Sequence, residues 1–271
     1  MKFTVHGARG SYPVAGTSFA RYGGRTSCFS LETSRGFIIV DAGTGIADLG
    51  DALAAHRVPP PTTILFTHIH LDHLIGLPAF KPLLNSKAQV TLMADPSQLP
   101  EWQRHVSLLM DHPFWPLPLL RDRSAVRFED LRLRHGEAYG LDGVSITTLP
   151  VRHPQGCVAY RLSTPSRVLV IATDREHGDP AGDAALIKFC RGADVLLHDA
   201  QFTPEELPAR RGWGHSTWEH AVAVAKEAGV KELLLTSHDP GHSDEMIDSI
   251  VAAARKQFPD TRAAADGLVI A

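Results

Sequence analysis

Nothing in the chain reaches the roughly 18 consecutive apolar residues of a membrane span, and the opening Met1-Lys2-Phe3-Thr4-Val5-His6-Gly7 lacks the apolar core of a secretory signal. Cysteine is scarce. Cys28, Cys157 and Cys190 are scattered with no Cys-x-x-Cys pair, which argues against a zinc knuckle and against a disulfide framework, and a reducing cytoplasm is the expected location. An excess of charge of one sign is also missing. The 27 Lys and Arg stand against 30 Asp and Glu, a formal net charge of −3, which gives no electrostatic case for a general binder of nucleic acid or anionic membrane and leaves only a local basic groove open.

What the sequence does have is apolar material and histidine. Its 271 residues are 44% hydrophobic, enough for one large core, and no linker-like seam divides them, so residues 1–271 are expected to form a single domain. The 15 histidines matter because imidazole is the commonest transition-metal ligand. Four of them, His56, His105, His112 and His135, sit among polar or proline-rich neighbours and read as surface or loop residues.

Short runs rich in β-branched residues predict strands at 29–31, 37–40, 62–66, 89–93, 144–149, 158–162, 168–172, 195–198 and 233–236. Helical spacing falls at 45–56, 97–110, 183–191, 217–228 and 244–258, the last two opening after the N-cap residues Ser216 and Ser243. Early strands come in adjacent pairs and later ones alternate with helices, which suggests sheets packed between helix layers, an α+β class. The segment 113–118, Pro-Phe-Trp-Pro-Leu-Pro, suits either an aromatic flap or a packed loop.

The chemistry concentrates in Thr67-His68-Ile69-His70-Leu71-Asp72-His73, directly after the apolar strand residues Ile64-Leu65-Phe66. Alternation points His68 and His70 the same way, and Asp72 and His73 follow where the chain can curl back towards a second ion. Nitrogen ligands with one carboxylate suit zinc, manganese or iron, and not calcium.

This His-x-His-x-Asp-His pattern resembles the signature of the metallo-β-lactamase superfamily, and further motifs follow in the family's order. Asp41 in Val40-Asp41-Ala42-Gly43 is similar to the aspartate that supports the ligands from behind. His153, Asp174 and His238 resemble the family's later ligands. The resemblance spans about residues 1–260 and implies an αββα sandwich with two divalent ions, Zn2+ or Mn2+. It implies that His68, His70 and His153 hold one ion, that Asp72, His73 and His238 hold the other, and that Asp174 bridges. A bridged pair lowers the pKa of a shared water and polarises the electrophile, and Asp72 would also orient the attacking water.

The scaffold hosts several chemistries, so the cleaved bond must be argued separately. Leu196-Leu197-His198-Asp199-Ala200-Gln201-Phe202, followed by Gly214-His215-Ser216-Thr217, resembles the late motifs of ribonuclease Z and its phosphodiesterase relatives. By that resemblance His215 donates a proton to the leaving oxygen and Asp199 orients its ring, whereas His198 reads as a buried, hydrogen-bonded strand-end histidine. The short span from His153 to Asp174 leaves no room for the arm of the tRNA-processing enzymes. The expected substrate is therefore a small, cyclic phosphodiester such as a cyclic nucleotide, not a long nucleic acid.

The segments 7–13 and 21–28 resemble the opening of the branch of cyclic-phosphate phosphodiesterases, with Ser11 or Thr26 as phosphate contacts; a turn-rich hairpin explains the same residues. The extra cysteine-bound zinc of the phosphonate-pathway enzyme has no counterpart here. Arg175, Glu176 and His177, directly after Asp174, are candidates to line the substrate cleft by proximity. Hydrolysis of a lactone, thioester or lactam on the same metals is the alternative reading, and a metal- or nucleotide-binding sensor without turnover is a third. A homo-oligomer is compatible with the sequence, which does not decide it.

Overall fold

Some strands are apolar along their whole length and others alternate, and the sheet pairing explains which is which. The computed structural model describes residues 2–117, 126–133 and 137–270. Its strands are, in chain order, β1 (Lys2–Gly7), β2 (Cys28–Glu32), β3 (Phe37–Val40), β4 (Thr62–Leu65), β5 (Val90–Ala94), β6 (Val126–Asp130) and β7 (Tyr139–Leu141). They continue as β8 (Val144–Val151), β9 (Cys157–Ser163), β10 (Val168–Ala172), β11 (Val195–Asp199), β12 (Glu232–Thr236), β13 (Thr261–Ala263) and β14 (Val269–Ile270). The helices are α1 (Ile46–Ala54), α2 (Trp102–Leu109), α3 (Pro180–Cys190), α4 (Trp218–Ala228) and α5 (Asp244–Arg255).

Two compact units result, one of residues 1–13, 24–132 and 265–271, the other of 14–23 and 133–264. The first holds the sheet β14-β1-β2-β3-β4-β5-β6 and the second the sheet β13-β12-β11-β10-β9-β8-β7. Both sheets follow one plan. Starting from β14 in the first, and from β7 in the second, three antiparallel pairings give way to three parallel ones. Parallel strands covered on both faces are buried at every position, as in β11, whose Val195, Leu196 and Leu197 are apolar and whose polar His198 and Asp199 fall at its C-terminal end. The antiparallel β1 instead alternates, burying Phe3, Val5 and Gly7.

In the first unit α1 buries Ile46, Leu49, Gly50 and Leu53, one helical stripe, in a core shared with Ile39, Ile64, Phe66, Leu92, Trp102 and Val106. In the second, α3, α4 and α5 pack Leu186, Ala221, Val222, Ala225, Ile247 and Val251 with Val170, Leu196 and Leu233. Each core therefore fixes the parallel strands whose C-terminal ends carry the residues of interest. Among the described residues no helix is long and apolar enough to cross a membrane.

The strands read from the sequence are present, within two residues at each end. The helices needed more correction. The cap of α4 is Thr217, not Ser216: its side chain accepts from the His220 amide in a capping box, while the Ser216 hydroxyl donates to the Arg175 carbonyl. The cap of α5 is Ser243, as expected. Helix α2 starts at Trp102 rather than near Ser97, because Ser97 is held in a turn by two bonds to the Asp95 carboxylate, 2.8 and 2.7 Å. Helix α3 starts at Pro180, a residue suited to a first helical position, under the Asp179 cap. His56, His105 and His112 are exposed; His135 lies outside the described residues. In the segment 113–118, Phe114 is exposed and Trp115 packs against the core of the first unit, while Pro118 lies outside the described residues.

Candidate metal centre

Each sheet sends a carboxylate out of its first parallel strand in the same way. Asp41 follows β3 with φ 63°, and Asp174 follows β10 with φ 51°. Both are left-handed, a conformation that Asp tolerates better than most residues and that turns the side chain sharply off the strand direction.

In the first unit Asp41 is fully buried and organises the histidine run. Its Oδ1 accepts from the Thr67 amide at 2.8 Å, and its Oδ2 accepts from the Thr67 hydroxyl and from His73 Nδ1, both at 2.8 Å. Because the Thr67 hydroxyl donates to Asp41, its lone pair accepts from His68 Nδ1 at 3.0 Å. One carboxylate thus selects the tautomer of two imidazoles, directly for His73 and through Thr67 for His68, and makes Nε2 of each the candidate ligand atom. Burial pushes the Asp41 carboxyl up, opposed by His73 and by the two bonds from Thr67.

The 68–73 run packs its rings together: His68 lies 4.6 Å from His70 and 4.1 Å from His73, centroid to centroid. Asp72, on a single 3-10 turn, accepts from the Ser11 amide at 2.7 Å and stands 3.3 Å from His73 Nε2. Ser11, read as a phosphate contact, places its backbone on the Asp72 carboxylate. Thr26, read likewise, is fully buried in a reciprocal lock with Thr44, whose amide donates to the Thr26 hydroxyl while the Thr26 amide donates to the Thr44 hydroxyl.

In the second unit His153 follows β8 with its Nδ1 donating to the Gly214 carbonyl at 2.8 Å, again assigning Nε2 outward. His238, after β12, uses the opposite nitrogen: Nε2 donates to the Ala264 carbonyl at 2.9 Å, which makes Nδ1 the candidate ligand atom. The Asp174 carboxylate accepts from the Ser237 hydroxyl at 3.1 Å. His153, Asp174 and His215 each offer a ligand atom, all within 4.8 Å of one another. The donor set and the carbonyl- or carboxylate-fixed imidazoles in both units fit a divalent transition metal.

Behind His215 stands Asp199, fully buried at the end of β11. Its Oδ2 accepts from His215 Nδ1 at 2.7 Å, and its Oδ1 accepts from the amides of Ser216 and Gln201 at 2.7 and 3.2 Å. Burial raises the Asp199 pKa, as does the negative charge of Asp174, while His215 and the Ser216 amide pull it down. His198 is fully buried, bonds the Asp199 carbonyl through Nδ1 at 2.7 Å and is pushed down to about 3 by burial, so it is neutral at physiological pH. Arg175 is buried, ion-paired to Asp183; His177 stacks on His220 at 3.8 Å and reaches Asp183 at 3.1 Å.

One residue carries more than its sequence suggested. The Glu176 carboxylate accepts from the amides of Gly212 and Gly214 at 3.0 and 2.9 Å, clamping the loop that leads to His215. Gly214 has φ 91°, and a Cβ there would lie 2.2 Å from His153 Nδ1, so only glycine lets this backbone support the ligand so closely. The pair of glycines flanking Trp213 is the only trace of this clamp in the sequence.

Residues 37–238 match the Beta-lactamase superfamily domain family. A ribonuclease Z of Brevibacillus brevis is 36% identical over 106 residues, covering 38% of this chain and 32% of that protein. A ribonuclease Z of Oceanobacillus iheyensis is 26% identical over 247 residues, covering 76% and 80% of the respective chains. The crystal structure of the metallo-β-lactamase fold protein YhfI from Bacillus subtilis superposes with a TM-score of 0.76 at 20% identity, covering 100% of this chain and 99% of that one. The fold is that of the metallo-β-lactamases, and its fixed histidines and carboxylates could hold a divalent metal. The chain belongs to the beta-lactamase superfamily domain family.

Proposed function

We propose that residues 1–271 work as one dinuclear phosphodiesterase that hydrolyses a small, cyclic phosphodiester such as a cyclic nucleotide. The observation that carries this reading is the His215–Asp199 pair set beside His153 and Asp174. A phosphodiester must expel an alkoxide, and a proton donor held beside these residues meets that need; a lactone or lactam needs its leaving group protonated too, so the choice of phosphorus rests on the likeness of residues 196–202 and 214–217 to the late motifs of ribonuclease Z and on the relatives of that name.

In this proposal His68, His70 and His153 hold one ion, Asp72, His73 and His238 hold the second, and Asp174 bridges. Two divalent ions, Zn2+ or Mn2+, supply an activated water at neutral pH and polarise a phosphoryl oxygen. The protein's own residues do the rest. Asp41 and Thr67 hold the histidine tautomers, and the Gly214 carbonyl holds that of His153. Asp72, fixed by the Ser11 amide, orients the attacking water. Asp199 holds His215 with Nε2 outward to protonate the leaving oxygen. Arg175 and His177, two candidate substrate contacts, are both paired with Asp183, and His177 is the more exposed of them.

The small-substrate reading draws on two observations. The net charge of −3 offers no broad basic face for RNA, and between His153 and Asp174 the chain forms only β9, β10 and short turns. The test is a panel of 3′,5′- and 2′,3′-cyclic nucleotides, cyclic ribose phosphates, an aryl phosphodiester, a precursor tRNA and a set of lactones, thioesters and lactams, assayed after reconstitution with Zn2+ or Mn2+. Fastest turnover of cyclic phosphodiesters supports the proposal. Faster carbon-ester or lactam turnover, faster tRNA cleavage, or nucleotide binding without any product would each displace it.

A further inference from the structure

Trp213 stands two residues before His215 with 61% of its surface exposed. A large aromatic left in water at a floppy loop tip would carry no meaning, but this loop is not free to move. The Gly212 and Gly214 amides are both held by Glu176, and the Trp213 amide donates to the Arg210 carbonyl at 3.2 Å. Three consecutive backbone amides are thus tied down. The indole is presented from a fixed support, at the cost of leaving an apolar surface in solvent.

Its surroundings are aromatic and basic. The Phe202 ring meets Trp213 edge to face at 6.5 Å and also meets His215 edge to face at 5.6 Å, so the indole and the proton donor share one neighbour. The Arg210 guanidinium covers Phe202 at 4.9 Å, and Arg211 beside it is exposed. A rigid exposed π-face, an adjoining cation and a proton donor for a phosphate ester are the elements that recognise a base attached to a phosphate.

We infer that Trp213 is a stacking platform for the base of the substrate, which makes that substrate a nucleobase-bearing phosphodiester rather than an aliphatic sugar phosphate. This rests on the phosphodiesterase reading above and narrows it. Every base has a π-face, so the platform favours nucleotides as a class without choosing among bases.

The test compares the metal-reconstituted wild type with Trp213→Phe and Trp213→Ala on 2′,3′-cyclic AMP and on a base-free cyclic ribose phosphate. Stacking predicts that Trp213→Ala raises KM for 2′,3′-cyclic AMP by about 5- to 150-fold with kcat nearly unchanged. It predicts no change for the base-free substrate, and recovery of most of the loss in Trp213→Phe. Equal KM values for both substrates in all three proteins overturn it, as does a change of oligomeric state in Trp213→Ala with nucleotide KM unaltered. A second readout needs no turnover: titrating metal-free protein with AMP quenches indole fluorescence in the wild type and not in Trp213→Phe, and absence of wild-type quenching overturns the inference. If no phosphodiester is hydrolysed by any of the proteins, the reaction assignment fails, while the AMP titration still decides the stacking.

Discussion

Asp199 and His215, 16 residues apart in sequence, are joined by a 2.7 Å bond between a fully buried carboxylate and an imidazole at the surface of the candidate centre. A buried carboxylate with two further amide bonds is a fixed reference point, so the ring of His215 inherits its orientation. Replacing it by amide, Asp199→Asn, sets a donor against either His215 Nδ1 or the Ser216 amide. Turnover is expected to fall about 100-fold, within the usual range for a displaced general acid, with metal content by elemental analysis unchanged.

Asp41 tests the ligand support. Asp41→Asn keeps a residue that tolerates φ 63° but offers an NH2 group where Thr67 and His73 both need an acceptor. Metal affinity, followed by competition with a chelator, is expected to drop about 10- to 100-fold, the usual effect of losing a partner that orients ligands. Unchanged affinity would mean that the tautomers are set without Asp41.

The Glu176 clamp predicts a loss at a distance. Glu176→Ala frees the amides of Gly212 and Gly214, and displacement of His215 by about 1 Å is enough for a fall of about 100-fold in kcat. Gly214→Ala is expected to act on His153 instead, since its Cβ would occupy the space at His153 Nδ1; reduced metal content distinguishes it from Glu176→Ala.

The reading from sequence and the structure part company at such places. That Asp41, the histidine run, His153, Asp174 and His238 stand at or just beyond strand ends was legible, because each follows a recognisable strand. The clamp by Glu176 was not, because its work is done on backbone amides 36 and 38 residues away, which leave no residue signature. Ser11 was read as a phosphate contact from the resemblance of residues 7–13; the bond from its amide to Asp72 was not foreseen, because a backbone donor leaves no residue signature. The edge strands β6, β7, β13 and β14, and β1 beside β14, escaped notice: they are short or half-polar, and pairing rather than intrinsic preference makes them strands.

His198 predicts a pH effect on stability. Its pKa is pushed down to about 3 from 6.5, so between those values the unfolded chain binds a proton that the folded chain does not. The stabilisation is complete above about pH 6.5 and is lost as pH falls towards 3. His198→Asn removes that site, and its urea-derived stability is expected to decline by roughly 2 kcal/mol less than that of the wild type between pH 7 and pH 5. Parallel declines would show that His198 titrates normally.

The central claim is that His215 protonates the leaving oxygen of a phosphodiester. The most direct measurement is the dependence of kcat/KM on leaving-group pKa, over a series from nitrophenyl to alkyl phosphodiesters, for the reconstituted wild type and His215→Ala. The account predicts a shallow dependence in the wild type. In the variant it predicts a steep one, with nitrophenyl esters nearly unaffected and alkyl esters slowed by about 100- to 10,000-fold. Equal slopes in the two proteins would contradict it.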